Sequence, residues 1–129
     1  MNPKKRMNEM PRGYCRCGPF RVDIIPKGLL KPLILKLLSE KPMHGFELME
    51  QLFEKTDGMW RPGPAAIYPT LDWLESNGYI KSVEVQKSEK ARKQYAITKK
   101  GAEALSDYEK ASKEIRQQMQ KFSSVYEKI

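Results

Sequence analysis

Residues 105–129 repeat every seven. Leu105, Ser112, Met119 and Tyr126 form one series, and Tyr108, Ile115, Phe122 and Ile129 form a second, offset by three. Alternating steps of three and four place both series on one helix face as an a/d seam, with Ser112 its one polar member. At 1.5 Å per residue such a helix spans roughly 37 Å, more than the core of a chain of 129 residues can cover. Part of the seam must therefore meet a second protomer or fold back onto its own domain. The first outcome is expected, with Leu105, Tyr108, Ile115, Met119, Phe122 and Tyr126 as the dimerisation residues.

The remaining residues have to supply a small domain at the root of that helix. Leu29, Leu30, Leu33, Ile34, Leu37 and Leu38 recur at the spacing of an amphipathic helix starting near Lys27, with Pro32 tolerated only close to its start. A second helix is expected over about 45–55, with Phe46, Leu48, Met49, Leu52 and Phe53 on its apolar side and Glu47, Glu50 and Glu54 on its wet side. Arg61-Pro62-Gly63-Pro64 reads as a helix start, Gly63 at the cap and Pro64 in the first helical position. That third helix runs to about Asn77, where Gly78 stops it. Ile67, Leu71 and Leu74 are its core stripe, and Pro69 predicts a bend or widened turn. Residues 79–85 and 93–97 form a hairpin around a charged tip, and Thr98 caps the last helix.

Residues 1–25, punctuated by Pro3, Pro11, Pro19, Gly13 and Gly18, read as an irregular basic arm. The expected organisation is an arm over 1–25, a winged helix-turn-helix over 26–98 and a dimerisation helix over 99–129. The fold class is mainly α (α+β), with a two-stranded wing.

The net charge of +8 is unevenly spread. Residues 1–36 carry nine basic and two acidic side chains, 37–80 three and seven, and 81–100 seven and two. Two basic blocks suit a polyanion if the fold brings them to one side. With Ile67, Leu71 and Leu74 inward, the third helix turns Ala65, Pro69, Asp72 and Ser76 outward, flanked by Ala66 and Trp73 on one side and Tyr68 on the other. Ala65 and Ala66 can approach thymine methyls, and the Tyr68 hydroxyl can reach a phosphate or base edge; Thr70 and Trp73 complete the candidate set. No arginine lies between Ala65 and Asn77, so this helix cannot read guanine with a bidentate guanidinium. Affinity for double-stranded DNA is expected from phosphate contacts by Lys27 and Arg61 and, on the wing, by Lys87, Lys90, Arg92 and Lys93.

Other chemistries find fewer residues. His44 is the single histidine and has no partners at ligand spacing, so a helix cap or a phosphate contact suits it better than a metal. Trp60 is expected in the core and Trp73 at the surface. Cys15 and Cys17 would make four thiolates in a dimer, enough for a shared zinc or copper(I) site, or a redox trigger favoured by Arg12, Arg16 and Arg21. Two incidental cysteines are the plainer reading, so no metal or cofactor is expected. No nucleophile has a base beside it and no glycine-rich loop cradles phosphate, so the chain is not expected to be an enzyme.

The longest aliphatic run, Leu33-Ile34-Leu35, is far too short to span a bilayer, and no membrane partner is expected. Lys4, Lys5 and Arg6 are followed by no apolar stretch, so no secretory signal is expected, and two cysteines suit a reducing cytoplasm. The rival to a DNA-binding dimer is a winged-helix protein–protein interaction module that uses the acidic middle or the long helix.

Several segments, in order, resemble the PadR family of transcriptional regulators. They are Leu33-Ile34-Leu35-x-Leu37-Leu38, then His44-Gly45-Phe46-Glu47-Leu48, then Trp60-x-Pro62-Gly63-Pro64-Ala65-Ala66-Ile67-Tyr68-Pro69. Leu71-x-x-Leu74-Glu75-x-x-Gly78-Tyr79-Ile80 and Arg92-Lys93-x-Tyr95-x-Ile97-Thr98-x-x-Gly101 follow. The resemblance implies a homodimeric cytoplasmic repressor, released from its operator by a small-molecule effector or a stress signal. By analogy it also implies an effector pocket between the first and last helices, near Leu30, Leu33, Tyr108 and Ile115. The family usually has tyrosine at Phe46, a cap serine at Gly63, glycine at Ala65 and a basic pair at Asp72-Trp73. These departures bear on the operator, not on the fold.

Overall fold

The apolar stripes of three helices converge on one core in the computed structural model, which describes residues 14–23, 25–85 and 92–129. In chain order the elements are β1 (Tyr14–Cys17), β2 (Phe20–Asp23), a 3-10 turn (Lys27–Leu29), α1 (Leu30–Leu38), β3 (Met43–His44), α2 (Gly45–Lys55) and α3 (Pro64–Ser76). They continue with β4 (Ile80–Val85), β5 (Arg92–Ile97), α4 (Lys99–Ser123) and a terminal turn of helix, α5 (Val125–Lys128). Ile34 and Leu38 of α1, Leu48 and Leu52 of α2, and Ile67, Leu71 and Leu74 of α3 are buried almost completely, with Trp60 from the α2–α3 link beside them. Burying each such aliphatic side chain contributes about 1.5–3 kcal/mol.

The ends of α3 follow from its punctuation. Gly63 takes an extended conformation as N-cap, and Pro64 occupies the first position, where its missing N–H has no partner to lose. Gly78 adopts a left-handed φ of 79°. That turn lets the Gly78 N–H donate to the Glu75 carbonyl at 3.0 Å and the Tyr79 N–H to the Leu74 carbonyl at 2.9 Å. The bend expected at Pro69 does not interrupt the helix, which is continuous from Pro64 to Ser76. Pro69 deprives only the Ala65 carbonyl of a donor, and on the next residue the Thr70 hydroxyl donates to the Ala66 carbonyl at 2.8 Å.

The wing is larger than its hairpin. β4 and β5 pair antiparallel from Ile80↔Ile97 to Val85↔Arg92. On the other edge of β5, β3 adds Met43↔Tyr95 and His44↔Gln94, so β5 is the central strand of three. The reading of residues 1–25 as irregular also changes over 14–23. β1 and β2 pair antiparallel with Cys17↔Phe20 closing the hairpin, and Gly18 supplies the φ of +64° that the turn needs.

Thr98 caps α4 by accepting from the Gly101 N–H at 3.1 Å. α4 then runs for 25 residues. Leu105 is buried in the domain core, whereas exposure climbs along the seam to 77% at Phe122, 86% at Tyr126 and 98% at Ile129. Lys36 of α1 reaches Glu109 of α4 at 3.1 Å, an exposed pair that fastens the first half of the helix. Among the described residues, no helix is long and apolar enough to cross a membrane.

Candidate nucleic-acid interface

The start of α2 is shaped by two neighbouring residues. His44, its N-cap, accepts the Glu47 N–H on Nδ1 at 3.2 Å, which leaves the proton on Nε2 facing the Glu47 carboxylate at 3.0 Å. The histidine is thus a helix cap, as its isolation suggests. Gly45, next in the chain, is buried under the Tyr68 ring of α3. A β-carbon at Gly45 would lie 2.7 Å from the ring edge and 2.9 Å from the phenol oxygen. The absence of a side chain there lets the phenol lie across the first turn of α2.

That contact forms one wall of a cavity of about 670 Å³ lined by His44, Gly45, Phe46, Tyr68, Lys93 and Tyr95. Tyr68 comes from α3 and Lys93 from β5, so the outward face of the third helix and the wing meet at one place. Tyr95 is 4% exposed. Burial, and then the carboxylates of Glu75 and Asp72 and the Tyr68 phenol, raise its hydroxyl above the ordinary tyrosine value of 10.0. It therefore stays a protonated donor in neutral solution.

The other candidates divide. Ala65, Ala66, Tyr68, Asp72 and Trp73 are exposed on α3, as the helix face requires, while Thr70 is half-buried with its hydroxyl bonded to its own helix. Arg61 is drawn away from a free role. Its guanidinium pairs with the Glu50 carboxylate of α2 and lies 5.9 Å from the centre of the Phe53 ring. Lys93 is exposed on β5. Lys87 and Lys90 lie outside the described residues, as do the side chains of Lys27 and Arg92. Cys17 is exposed in β1, and the Cys15 side chain lies outside the described residues. Among the described residues, no three His, Cys, Asp or Glu side chains gather as metal ligands would. Of the seam residues, Tyr108, Ile115 and Met119 are half-buried. The last two line, with Val22, Pro26, Phe122 and Tyr126, a groove of about 1350 Å³ between the β1–β2 hairpin and the end of α4.

A stack at the end of α3 has no counterpart in the sequence reading. The Trp73 and Tyr79 rings lie 5.9 Å apart and 18° from parallel. Lys31 caps the outer Trp73 face at 4.2 Å, and Lys100 caps Tyr79 at 4.7 Å. The four residues come from α1, α3, the α3–β4 turn and α4, so their order in the chain gives little hint of the contact.

A three-helix core with an exposed third helix and an antiparallel wing is the winged helix-turn-helix of DNA-binding regulators. The PadR-like family of transcriptional regulators matches residues 34–107, more than half of the chain, and the chain belongs to that family. The transcriptional regulator YqjI of Escherichia coli K12 is 36% identical over 92 residues, which make up 71% of this chain and 43% of that protein. The chain thus spans less than half the length of this relative. A transcriptional regulator from Clostridium thermocellum superposes with a TM-score of 0.69 at 28% identity, over 74% of this chain and 94% of that one. The Bacillus subtilis PadR in complex with operator DNA gives a TM-score of 0.58 at 28% identity, over 65% of this chain and 47% of that one.

Proposed function

We propose that the protein is a homodimeric repressor that binds a two-fold symmetric operator through α3 and the wing, and is released by a small-molecule effector or a stress signal. The observation that carries the DNA contact is the cavity shared by Tyr68 and Lys93. It sets a side chain of the recognition face beside a cation of the wing, so one duplex can engage both. The operator complex of the Bacillus subtilis relative supports the same use of the fold. Small residues at Ala65 and Ala66 allow close approach to thymine methyls, while lysines and arginines of the wing hold the phosphate backbone. Phe122, Tyr126 and Ile129, far too exposed for a helix that ends in water, favour pairing of α4 with a second copy. The groove beside Ile115 and Met119 is a candidate effector site; of Leu30, Leu33, Tyr108 and Ile115, the residues expected to frame such a pocket, it takes in Ile115 and extends from there towards the end of α4.

Titrating a labelled duplex against the protein over a range of salt concentrations tests this reading. Binding whose logarithm falls linearly with the logarithm of salt is expected, with a slope near −7 if a dimer neutralises about eight phosphates. No duplex binding at low salt would leave the protein-interaction module as the better account.

A further inference from the structure

The outward face of α3 carries one full charge, and its sign is wrong for a surface that meets a polyanion. Ala65, Tyr68, Pro69, Asp72 and Ser76 are exposed along that face. Ala65 and Pro69 bring no polar side-chain atom, and Tyr68 and Ser76 bring hydroxyls, so the Asp72 carboxylate is the one ionised group among them. Pro64–Ser76 contains no lysine, arginine or histidine, and its other acid, Glu75, is half-buried. Asp72 is not neutralised from elsewhere in the fold. Among the described residues its carboxylate makes no ion pair and no hydrogen bond. The lysines at this end of α3 turn to aromatic faces instead, Lys31 to Trp73 at 4.2 Å and Lys100 to Tyr79 at 4.7 Å. Asp72 is also one of the groups that raise the Tyr95 hydroxyl of β5, so its charge lies towards the wing, where Tyr68 and Lys93 share a cavity.

Elsewhere on the surface an exposed acid is simply a solvated one. On a face that approaches a duplex it loses water and repels the phosphates, and only a base edge that donates hydrogen bonds offsets that cost. An ionised carboxylate accepts and cannot donate. In the major groove guanine presents N7 and O6, and thymine presents O4, all of them acceptors. Adenine sets an acceptor, N7, beside its N6 donor. Cytosine N4 donates with no acceptor beside it on the same base. We propose that Asp72 is a specificity-determining residue of α3, accepting a hydrogen bond from the N4 amino group of one cytosine in each half-site. This rests on the DNA-binding reading above and deepens it. The carboxylate acts in two directions: it favours a duplex with cytosine at that position and weakens binding to every other duplex, where it faces acceptors and phosphates.

The test uses the full chain, a random duplex library from which it selects its site, and fluorescein-labelled duplexes for anisotropy. The wild type should select a C·G pair at one position per half-site. Exchanging that pair for T·A should weaken the wild type by about tenfold per half-site and Asp72→Ala by less than about twofold. Asp72→Asn, of the same shape but able to pair with adenine N6 and N7, should select adenine at the same position. On a scrambled duplex both variants should bind about two- to fivefold tighter than the wild type, because a repelling charge has gone. A residue of merely structural importance would not weaken the selected site while strengthening the scrambled one. Thermal melting should stay as in the wild type, since the side chain is exposed. Asp107→Asn removes the same charge from an exposed position on α4 and should leave the base preference at every position unchanged. Asp72→Ala with the wild-type preference at every position would overturn the proposal, as would equal costs of the C·G to T·A exchange in the two proteins. A wild-type protein that selects no duplex at all would instead sink the DNA-binding reading, and the role of Asp72 with it.

Discussion

Gly101, in the first turn of α4, presses against the backbone carbonyl of Tyr79 so closely that a β-carbon would come within 2.1 Å of the oxygen. Around that contact the Thr98 hydroxyl donates to the Gly78 carbonyl at 2.6 Å, the Thr98 amide to Tyr79 at 3.1 Å and the Lys100 ammonium to Asn77 at 2.6 Å. The long helix is thereby fastened to the turn that ends α3. Any rotation of α4 has to carry the end of α3 with it.

Gly101→Ala should therefore be severe. The obstacle is backbone, which cannot swing aside, so α4 has to lift from the turn. The expected loss is about 2–3 kcal/mol or more, read as a lower midpoint in urea. The same variant should lose DNA affinity even at temperatures where it remains folded, because α3 and α4 no longer keep their angle. A variant with wild-type stability would refute the close contact.

Gly45→Ala offers the contrast. Its β-carbon would meet only the rim of the Tyr68 ring, at 2.7 Å. A side chain can rotate away, and alanine suits the first turn of a helix better than glycine by up to about 1 kcal/mol. Stability should change by less than about 1 kcal/mol, while duplex affinity falls because the phenol is displaced from the α2–α3 wall. Thermal melting and fluorescence anisotropy, measured on the same preparation, check the two halves.

These two glycines also mark what sequence reading captures. The start and stop of α3 were legible because Gly63, Pro64 and Gly78 act on their own backbone. The His44 cap was legible because an isolated histidine before a helix has few other uses. The buried stripes of α1, α2 and α3 follow from period alone. By contrast, β3 is two residues long and exists only because β5 offers it an edge. The Trp73–Tyr79 stack with its two lysines, and the crowding of Gly45 and Gly101, arise between elements whose relative placement no local pattern encodes. The β1–β2 hairpin was hidden by Gly18 and Pro19, which punctuate a turn as readily as an irregular stretch. Nothing local in the sequence signals the pairing of Arg61 with Glu50, because the two residues come from different elements.

Tyr95 predicts an alkaline limit to stability. Its pKa is raised in the folded protein by burial first, then by Glu75, Asp72 and Tyr68. Below the unfolded value of 10.0 both states hold the proton, and the stabilising effect of the folded environment is intact. Above it the unfolded chain releases the proton that the folded one retains, so stability falls with rising pH until the folded value is reached. In a spectrophotometric titration one tyrosine should ionise later than the rest, or only on unfolding. Tyr95→Phe should remove that late step and flatten the alkaline decline. An unchanged decline would place its cause elsewhere.

Replacing Arg92 and Lys93 together by alanine should weaken binding to every duplex, not only to the operator, because phosphate contacts carry no sequence information. Two cations lost from each protomer of a dimer should make the salt slope less negative by up to about 3.6. The effect should therefore be large at low salt and shrink as salt rises. Equal losses at all salt concentrations would mean that these side chains do not neutralise phosphate.

The exposed end of α4 supplies the remaining prediction. Leu105 anchors the helix in its own domain, while Phe122 and Tyr126, at 77% and 86% exposure, contribute almost nothing to that domain's core. Charges introduced there should leave the winged domain folded and abolish only what those residues touch in a second copy. Phe122→Lys combined with Tyr126→Lys is expected to sediment at the monomer mass of 15.0 kDa, and the wild type is expected at twice that value. Operator affinity should fall by about 10²-fold or more, since a dimer gains its second half-site as an intramolecular event. Thermal melting of the variant, measured at low protein concentration, should approach that of the dissociated wild type. A doubly charged variant that still sediments as a dimer would move the interface away from this end of the helix, and a monomeric wild type would remove the two-fold arrangement altogether.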